Sequence, residues 1–217
     1  LIGNKDFVFD PNRLSARLKE PLPGELAQIE MAHAFRRKLW PAPQTARKAG
    51  VMIHFYPLQS SWHMVLIERS SKHSKDRHAG QISFPGGGID QCDFDIIACA
   101  FRETKEEIGV DLDRDRFLGL LTPLYIPVSN YLVHPVISWS PEPLVFIPNT
   151  GEVEEVLQVP VSHFFDEANI RHMDMIPGSG MYMKDVPYYD VSGKAIWGAT
   201  AMIISELVHI IKDLKNV

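Results

Sequence analysis

The stretch Arg102–Val110 reads RETKEEIGV, with carboxylates at Glu103, Glu106 and Glu107. On a helix these positions lie within one turn of each other, where each like-charged pair costs roughly 0.2–0.5 kcal/mol. Two arrangements tolerate that spacing. One is a solvated helix face, and the other is a site where a divalent cation relieves the repulsion. At about 100° per residue, Phe94, Ile97, Ala98, Phe101, Lys105 and Ile108 fall within roughly 60° of one line. The glutamates fall on the other side, so Lys105 is turned away from them and Gly109 is placed to end the helix.

Amphipathicity alone fits both arrangements. The residues upstream favour the second. FPGGGID, Phe84–Asp90, puts three glycines before the helix and after the strand-like GQIS. Glycines there let the backbone turn tightly, approach a ligand and present a carbonyl to a metal.

With these residues in view, the sequence resembles the Nudix hydrolases, whose box runs G-x5-E-x7-R-E-U-x-E-E-x-G-U, with U a bulky apolar residue. Arg102, Glu103, Glu106, Glu107, Gly109 and Val110 match it, and Thr104 replaces the first U. Counted back from Arg102, the first glutamate of the box falls on Phe94. One extra loop residue moves that place to Asp93 and makes Gly87 the leading glycine.

The resemblance implies an α/β fold, a Nudix-type α/β/α sandwich with a mixed β-sheet. It implies hydrolysis of a nucleoside diphosphate linkage by water attack on phosphorus, with Mg²⁺ or Mn²⁺ as cofactor. Glu103 and Glu107 are the implied main metal ligands, Glu106 an auxiliary one, and the carbonyl of Gly87 or Gly88 the completing donor. Arg102 is implied to orient a glutamate. Oxygen ligands of this kind suit Mg²⁺. For the general base, Glu152 in NTGEVEEVLQVP stands just before a strand, where some relatives place a metal-facing glutamate. A surface charge is the other reading of it, and Glu154 and Glu155 come after it as candidates.

LIERSSKHSKDRHAGQISFPGG, before the helix, resembles the signature of the coenzyme A pyrophosphatase branch. Arg69, Ser70, Gly80, Gln81 and Phe84–Gly87 match, and the second arginine of the signature falls on Lys75 or Arg77. Arg69, Lys75, Arg77, Gly80, Gln81 and Phe84 are therefore the expected substrate-binding residues. Arg69, Lys72, Lys75 and Arg77 outnumber Glu68 and Asp76 in an otherwise acidic chain, and the 3′-phosphate of coenzyme A calls for such extra cations. The expected products are 3′,5′-ADP and an (acyl-)4′-phosphopantetheine. ADP-ribose or a dinucleotide is the alternative substrate, and a catalytically silent nucleotide-binding module is the alternative of another class.

These residues need a scaffold to hold them. AGVMIHFYPL and WHMVLIERS, parted by QSS, are expected to be paired strands; FLGLLTPLYI, YLVHPVISW and EEVLQVPV are further strands. A final helix is expected through AIWGATAMIISELVHIIKDL, with Ala201, Ile204, Leu207, Val208 and Ile211 at helical spacing. Residues 1–45 are expected to be an N-terminal helical extension and 46–217 the Nudix domain. In the extension, Asp10 would cap a helix with Pro11 at its first position, and ELAQIEMAHAFRRKL would form a second helix ending at WPAP.

The bulk numbers bound the rest. A chain of 217 residues with 45% hydrophobic content can bury a core. The net charge of −5 argues against a general nucleic-acid binder, and no apolar run nears the roughly 20 residues of a membrane span. A small-molecule partner, with neither nucleic acid nor membrane, and a cytoplasmic location are the expectations. No signal-peptide pattern opens the chain, which begins at Leu1 as if a few residues had been trimmed. Cys92 and Cys99 are expected to be small buried side chains. Trp62, Trp139 and Trp197, with Phe146 and Tyr188, read as packing or as stacking surfaces for a base. The nine histidines lack ligand spacing, and Ser70 and Ser83 lack a nearby triad. The oligomeric state stays open, a homodimer included.

Overall fold

The computed structural model describes residues 9–36, 41–71, 78–177, 180 and 182–215. The strands are β1 (Arg47–Leu58), β2 (Ser61–Arg69), β3 (Ile82–Ser83), β4 (Gly86–Gly88), β5 (Phe117–Leu120), β6 (Leu124–Ile126), β7 (Tyr131–Trp139), β8 (Val153–Pro160), β9 (Ile170–Met175), β10 (Met183–Val191) and β11 (Lys194–Trp197). The helices are α1 (Pro11–Arg17), α2 (Glu25–Gln28), α3 (Ile96–Ile108) and α4 (Gly198–Lys215).

β1 is the centre of an eight-stranded mixed sheet. It pairs antiparallel with β2 and β4 and parallel with β7, from Arg47↔Tyr131 to Phe55↔Trp139. β8 pairs antiparallel with β2 on its far side. Alternation along the strands separates two cores, as a period of two requires. Ile53 and Phe55 of β1 and Met64 and Leu66 of β2 face one core, with α4 and the N-terminal residues Phe9, Leu14 and Leu18. Met52, Tyr56, Val65 and Ile67 face the other, with Ala100, Phe101 and Ile108 of α3. This is the expected α/β/α sandwich with a mixed sheet.

A second, three-stranded antiparallel sheet, β11-β10-β9, stands beside it. Sequence reading found none of its strands and ran the last helix back through Ala195–Trp197, which belong to β11. FLGLLTPLYI divides into β5 and β6, both antiparallel to β7.

At the N-terminus the Asp10 carboxylate caps α1, accepting from the N–H groups of Asn12 at 2.9 Å and Arg13 at 3.1 Å. The expected second helix is broken: α2 gives way to 3-10 turns at Ile29–Met31 and Ala34–Arg36, with Ala32 extended. Tertiary contacts outweigh helix propensity here, since Gln28, Met31 and Ala32 are buried. A fully buried Glu206 on α4 gathers the segment, accepting from Gln28 Nε2 at 2.9 Å, Thr122 Oγ1 at 2.6 Å and Gly24 N at 3.2 Å. No helix among the described residues is long and apolar enough to cross a membrane.

Candidate active site

α3 is fixed at both ends by its own sequence. Asp95 caps it through Ala98 N at 2.6 Å, and Gly109 ends it in the left-handed region at φ 71°. Phe94 precedes the helix and is 76% exposed, so it is no part of the packing face drawn for it. The buried side runs through Ala98, Cys99, Ala100, Phe101, Thr104, Glu107 and Ile108. The helix is therefore rotated from the simple two-face picture, and Glu107 lies inside rather than opposite the core. The helix lies close on β1: an added Cβ on Gly50 would stand 2.6 Å from Ile96 O and 3.1 Å from Ala100 N. Lys105 turns away, as expected, and pairs with Asp111 at 2.6 Å.

The glutamates meet the glycine loop where the chain passes from β3, paired with β2, to β4, paired with β1. Glu107, 2% exposed, accepts the Gly86 N–H at 2.8 Å. Glu103 lies against Gly87, where a Cβ would come within 2.5 Å of its carboxyl carbon. Glu106 is more exposed and pairs with Arg102 at 2.8 Å. Arg102 also holds Glu103 at 2.9 Å, donates to Gly88 O at 3.2 Å, and meets Asp93 through Nε at 3.0 Å and Nη2 at 2.8 Å. Asp93 thus takes up the arginine from the loop.

The electrostatics follow from burial. Burial pushes the Glu107 carboxyl up to about 8; the Gly86 N–H and Arg69 oppose that, and the charges of Glu103 and Glu152 add to it. Burial also raises Glu103, with Arg102 opposing and Glu106 and Glu152 adding. The Arg102 bond holds Asp93 below its ordinary value.

Arg69, at the end of β2, points its Nη1 to within 3.6 Å of Glu107 Oε1. Its backbone N–H donates to Gln81 O at 3.0 Å and its carbonyl accepts from Gly80 N at 2.9 Å, so the three stand together at the rim. His78 joins them through Gln81 Oε1 at 3.0 Å. Phe84 is placed elsewhere: its side chain is 3% exposed and packs in the core under α4. Lys75 and Arg77, with Lys72 and His73, lie outside the described residues. Glu152 is exposed at the mouth, and its carbonyl accepts from Ser70 N at 2.8 Å. Glu154 and Glu155 are exposed on β8.

Sequence reading missed Asn149. Its N–H donates to Glu107 O at 2.8 Å, its carbonyl accepts from Glu152 N at 2.9 Å, and Nδ2 lies 3.3 Å from Glu152 Oε1. The turn-forming NTG following a proline was the available signal, but only the fold brings it to the helix end. Of the cysteines, Cys99 is buried as expected and Cys92 is exposed, because it precedes the helix. Trp62 and Trp139 pack around Phe9, at centroid distances of 4.4 and 6.1 Å.

Among the described residues, no group of three or more histidine, cysteine or acidic side chains is arranged to hold a metal ion in this conformation. In this conformation Arg102 and Gly86 N–H engage the carboxylates instead. The donor chemistry nevertheless fits a hard divalent cation. Glu103 and Glu107 are withdrawn from water, with Arg102 and Arg69 as the cations that oppose the cost of their charge, and carboxylate oxygens are the ligands such an ion takes.

Comparison with known proteins agrees with this geometry. The chain is 34% identical over 128 residues to the mitochondrial coenzyme A diphosphatase NUDT8 of Homo sapiens, covering 58% of this chain and 54% of that protein. The match thus spans about half the length of the human relative. It is 35% identical over 132 residues to the uncharacterized Nudix hydrolase NudL of Photorhabdus laumondii, covering 61% and 69% of the two chains. The crystal structure of a MutT/nudix family protein from Enterococcus faecalis superposes with a TM-score of 0.51 at 13% identity, over 95% of this chain and 76% of that one, and so shares the fold. Residues 46–177, more than half of the chain, match the NUDIX domain, and the chain belongs to the Nudix hydrolase family.

Proposed function

We propose that the protein hydrolyses a nucleoside diphosphate linkage with Mg²⁺ or Mn²⁺, and that its substrate is coenzyme A or an acyl-CoA, cut to 3′,5′-ADP and (acyl-)4′-phosphopantetheine. The observation that carries the reading is the meeting of Glu103, Glu107, the Gly86–Gly88 backbone and Arg69 at one place. The coenzyme A signature around Arg69, Gly80 and Gln81 and the similarity to a coenzyme A diphosphatase support the substrate.

Glu103, Glu107 and the Gly87 carbonyl are the groups that would hold the metal, with Glu106 as an outer, exposed carboxylate. When bound, such an ion neutralises the diphosphate and lowers the pKa of the attacking water. The chain's own groups do the remainder. Arg102 keeps Glu103 and Glu106 aimed, and Asp93 in turn keeps Arg102 in place. Arg69 offers a cation to the phosphates from the rim of the site. Glu152, whose charge bears on both inner glutamates, accepts the proton of the attacking water.

The test is a panel of coenzyme A, acetyl-CoA, ADP-ribose, NADH and diadenosine polyphosphates, incubated with Mg²⁺ or Mn²⁺ and resolved by chromatography. Coenzyme A and its thioesters should be split at the diphosphate. Cleavage of ADP-ribose with coenzyme A intact would overturn the substrate, and no cleavage of any member would overturn the activity.

A further inference from the structure

Glu68 of β2 and Glu155 of β8 stand directly opposite each other in the antiparallel register. Like charges so placed destabilise a strand pair. Immediately beyond them the register shifts, so that Arg69 faces Val153 and Glu154 is skipped. Such a bulge bends the strand and re-aims the side chains that follow. Here the side chains that follow are Arg69, 3.6 Å from Glu107, and Glu152, whose carbonyl takes the Ser70 N–H.

The two carboxylates share one cation. Lys194 Nζ lies 2.9 Å from Glu155 Oε2 and bonds Glu68 Oε2. It comes from the second sheet, on the first residue of β11, after a tight turn in which Gly193 has φ 85° and donates to Asp190 Oδ1 at 2.8 Å. The ammonium therefore starts from a fixed point. Arg69 reaches the α3 face while its neighbour Glu68 reaches the opposite one, so Lys194 acts from behind the sheet. A partly exposed ion pair contributes little to global stability. Its leverage is geometric.

We propose that Lys194 is a positioning residue: by bridging Glu68 and Glu155 it fixes the β2–β8 bulge from which Arg69 and Glu152 enter the site. The proposal deepens the diphosphatase reading and rests on it for the kinetic consequence. Both carboxylates hold the Lys194 ammonium above the ordinary lysine range, so it stays charged at neutral pH.

The experiment compares wild type, Lys194→Met, Lys194→Arg, the double variant Glu68→Gln/Glu155→Gln, and the triple variant that adds Lys194→Met. Three quantities are read: kcat and KM on coenzyme A with Mg²⁺, Mn²⁺ affinity by electron paramagnetic resonance, and hydrogen exchange over 66–70 and 152–156. Lys194→Met should lower kcat by about tenfold, leave Mn²⁺ affinity within about twofold, and speed exchange at the bulge. Lys194→Arg should restore most of the rate. In the Glu68→Gln/Glu155→Gln background, adding Lys194→Met should change kcat and exchange by less than about twofold, because the repulsion it answers is gone. An unchanged kcat and exchange pattern in Lys194→Met overturns the proposal, as does an equally large loss in the double-glutamine background. If wild type cleaves no diphosphate the functional reading fails, and the exchange data alone then decide whether Lys194 fixes the bulge.

Discussion

The Glu107 carboxylate accepts the Gly86 N–H at 2.8 Å, and that bond joins the buried side of α3 to the first glycine of β4. A residue from the acidic motif and one from the glycine loop, 21 positions apart, thereby become one structure. Glu107→Gln should abolish turnover while leaving the fold intact, because an amide keeps the shape and loses the charge. Circular dichroism with a kinetic assay checks this, and near-normal turnover would remove Glu107 from the metal site.

The same burial gives a pH dependence to the metal-free protein. The folded-state pKa of Glu107, about 8, lies above that of a carboxylate in the unfolded chain. The native state thus binds this proton more tightly, so the stability it contributes is full below the unfolded pKa and is lost as pH rises through about 8. Glu103 is shifted in the same direction. Chelator-treated protein should melt at a lower temperature at pH 9 than at pH 6. The difference should narrow in Glu107→Gln, and Mg²⁺ or Mn²⁺ should raise the midpoint more at pH 9 than at pH 6.

Gly87 is required by contact rather than by backbone angle. A Cβ there would stand 2.5–2.6 Å from the carboxyl atoms of Glu103. Gly87→Ala should displace Glu103 and weaken Mn²⁺ binding by at least about tenfold, with a small change in melting temperature, since the atoms it strikes end a movable side chain. A titration that finds wild-type Mn²⁺ affinity would contradict the placement of Glu103.

Gly50 differs, because what its Cβ would meet is backbone. Ile96 O at 2.6 Å and Ala100 N at 3.1 Å cannot swing aside, so Gly50→Ala should push α3 off β1. The expected loss is about 1–3 kcal/mol in denaturant unfolding, accompanied by reduced kcat. Unchanged stability would mean that the helix does not pack this closely.

For the base, Glu152→Gln should lower kcat and leave KM near wild type, since the exposed side chain keeps its shape and loses its proton affinity. An unchanged kcat strikes it from the mechanism, and a rise in KM alone reassigns it to binding.

Much of this was legible in the sequence. The i, i+3, i+4 carboxylates, the Gly109 helix end, the three glycines and the alternating strands are local patterns, and local patterns survive translation into structure. The rotation of α3 did not follow from periodicity, because which side of a helix is buried depends on the element it packs against, here β1, which it approaches closely at Gly50. Glu107 was drawn onto a wet face when it is buried, and Phe94 was drawn into a packing face it does not join because the helix begins after it. The β9–β11 sheet escaped notice because its strands carry mixed polar patterns, such as IRHMDM, that show no clean alternation.

What the sequence by itself determined was the chemical inventory: carboxylates, glycines and a basic rim close enough along the chain to suit a metal and a diphosphate. What only the tertiary structure decided was which of those groups meet. Asn149 at the end of α3, Asp93 under Arg102 and Lys194 behind Glu68 are contacts between chain-distant or turn-defined positions. Side-chain periodicity fixes direction only within one element, and the angle between elements is set by the packing of their surfaces.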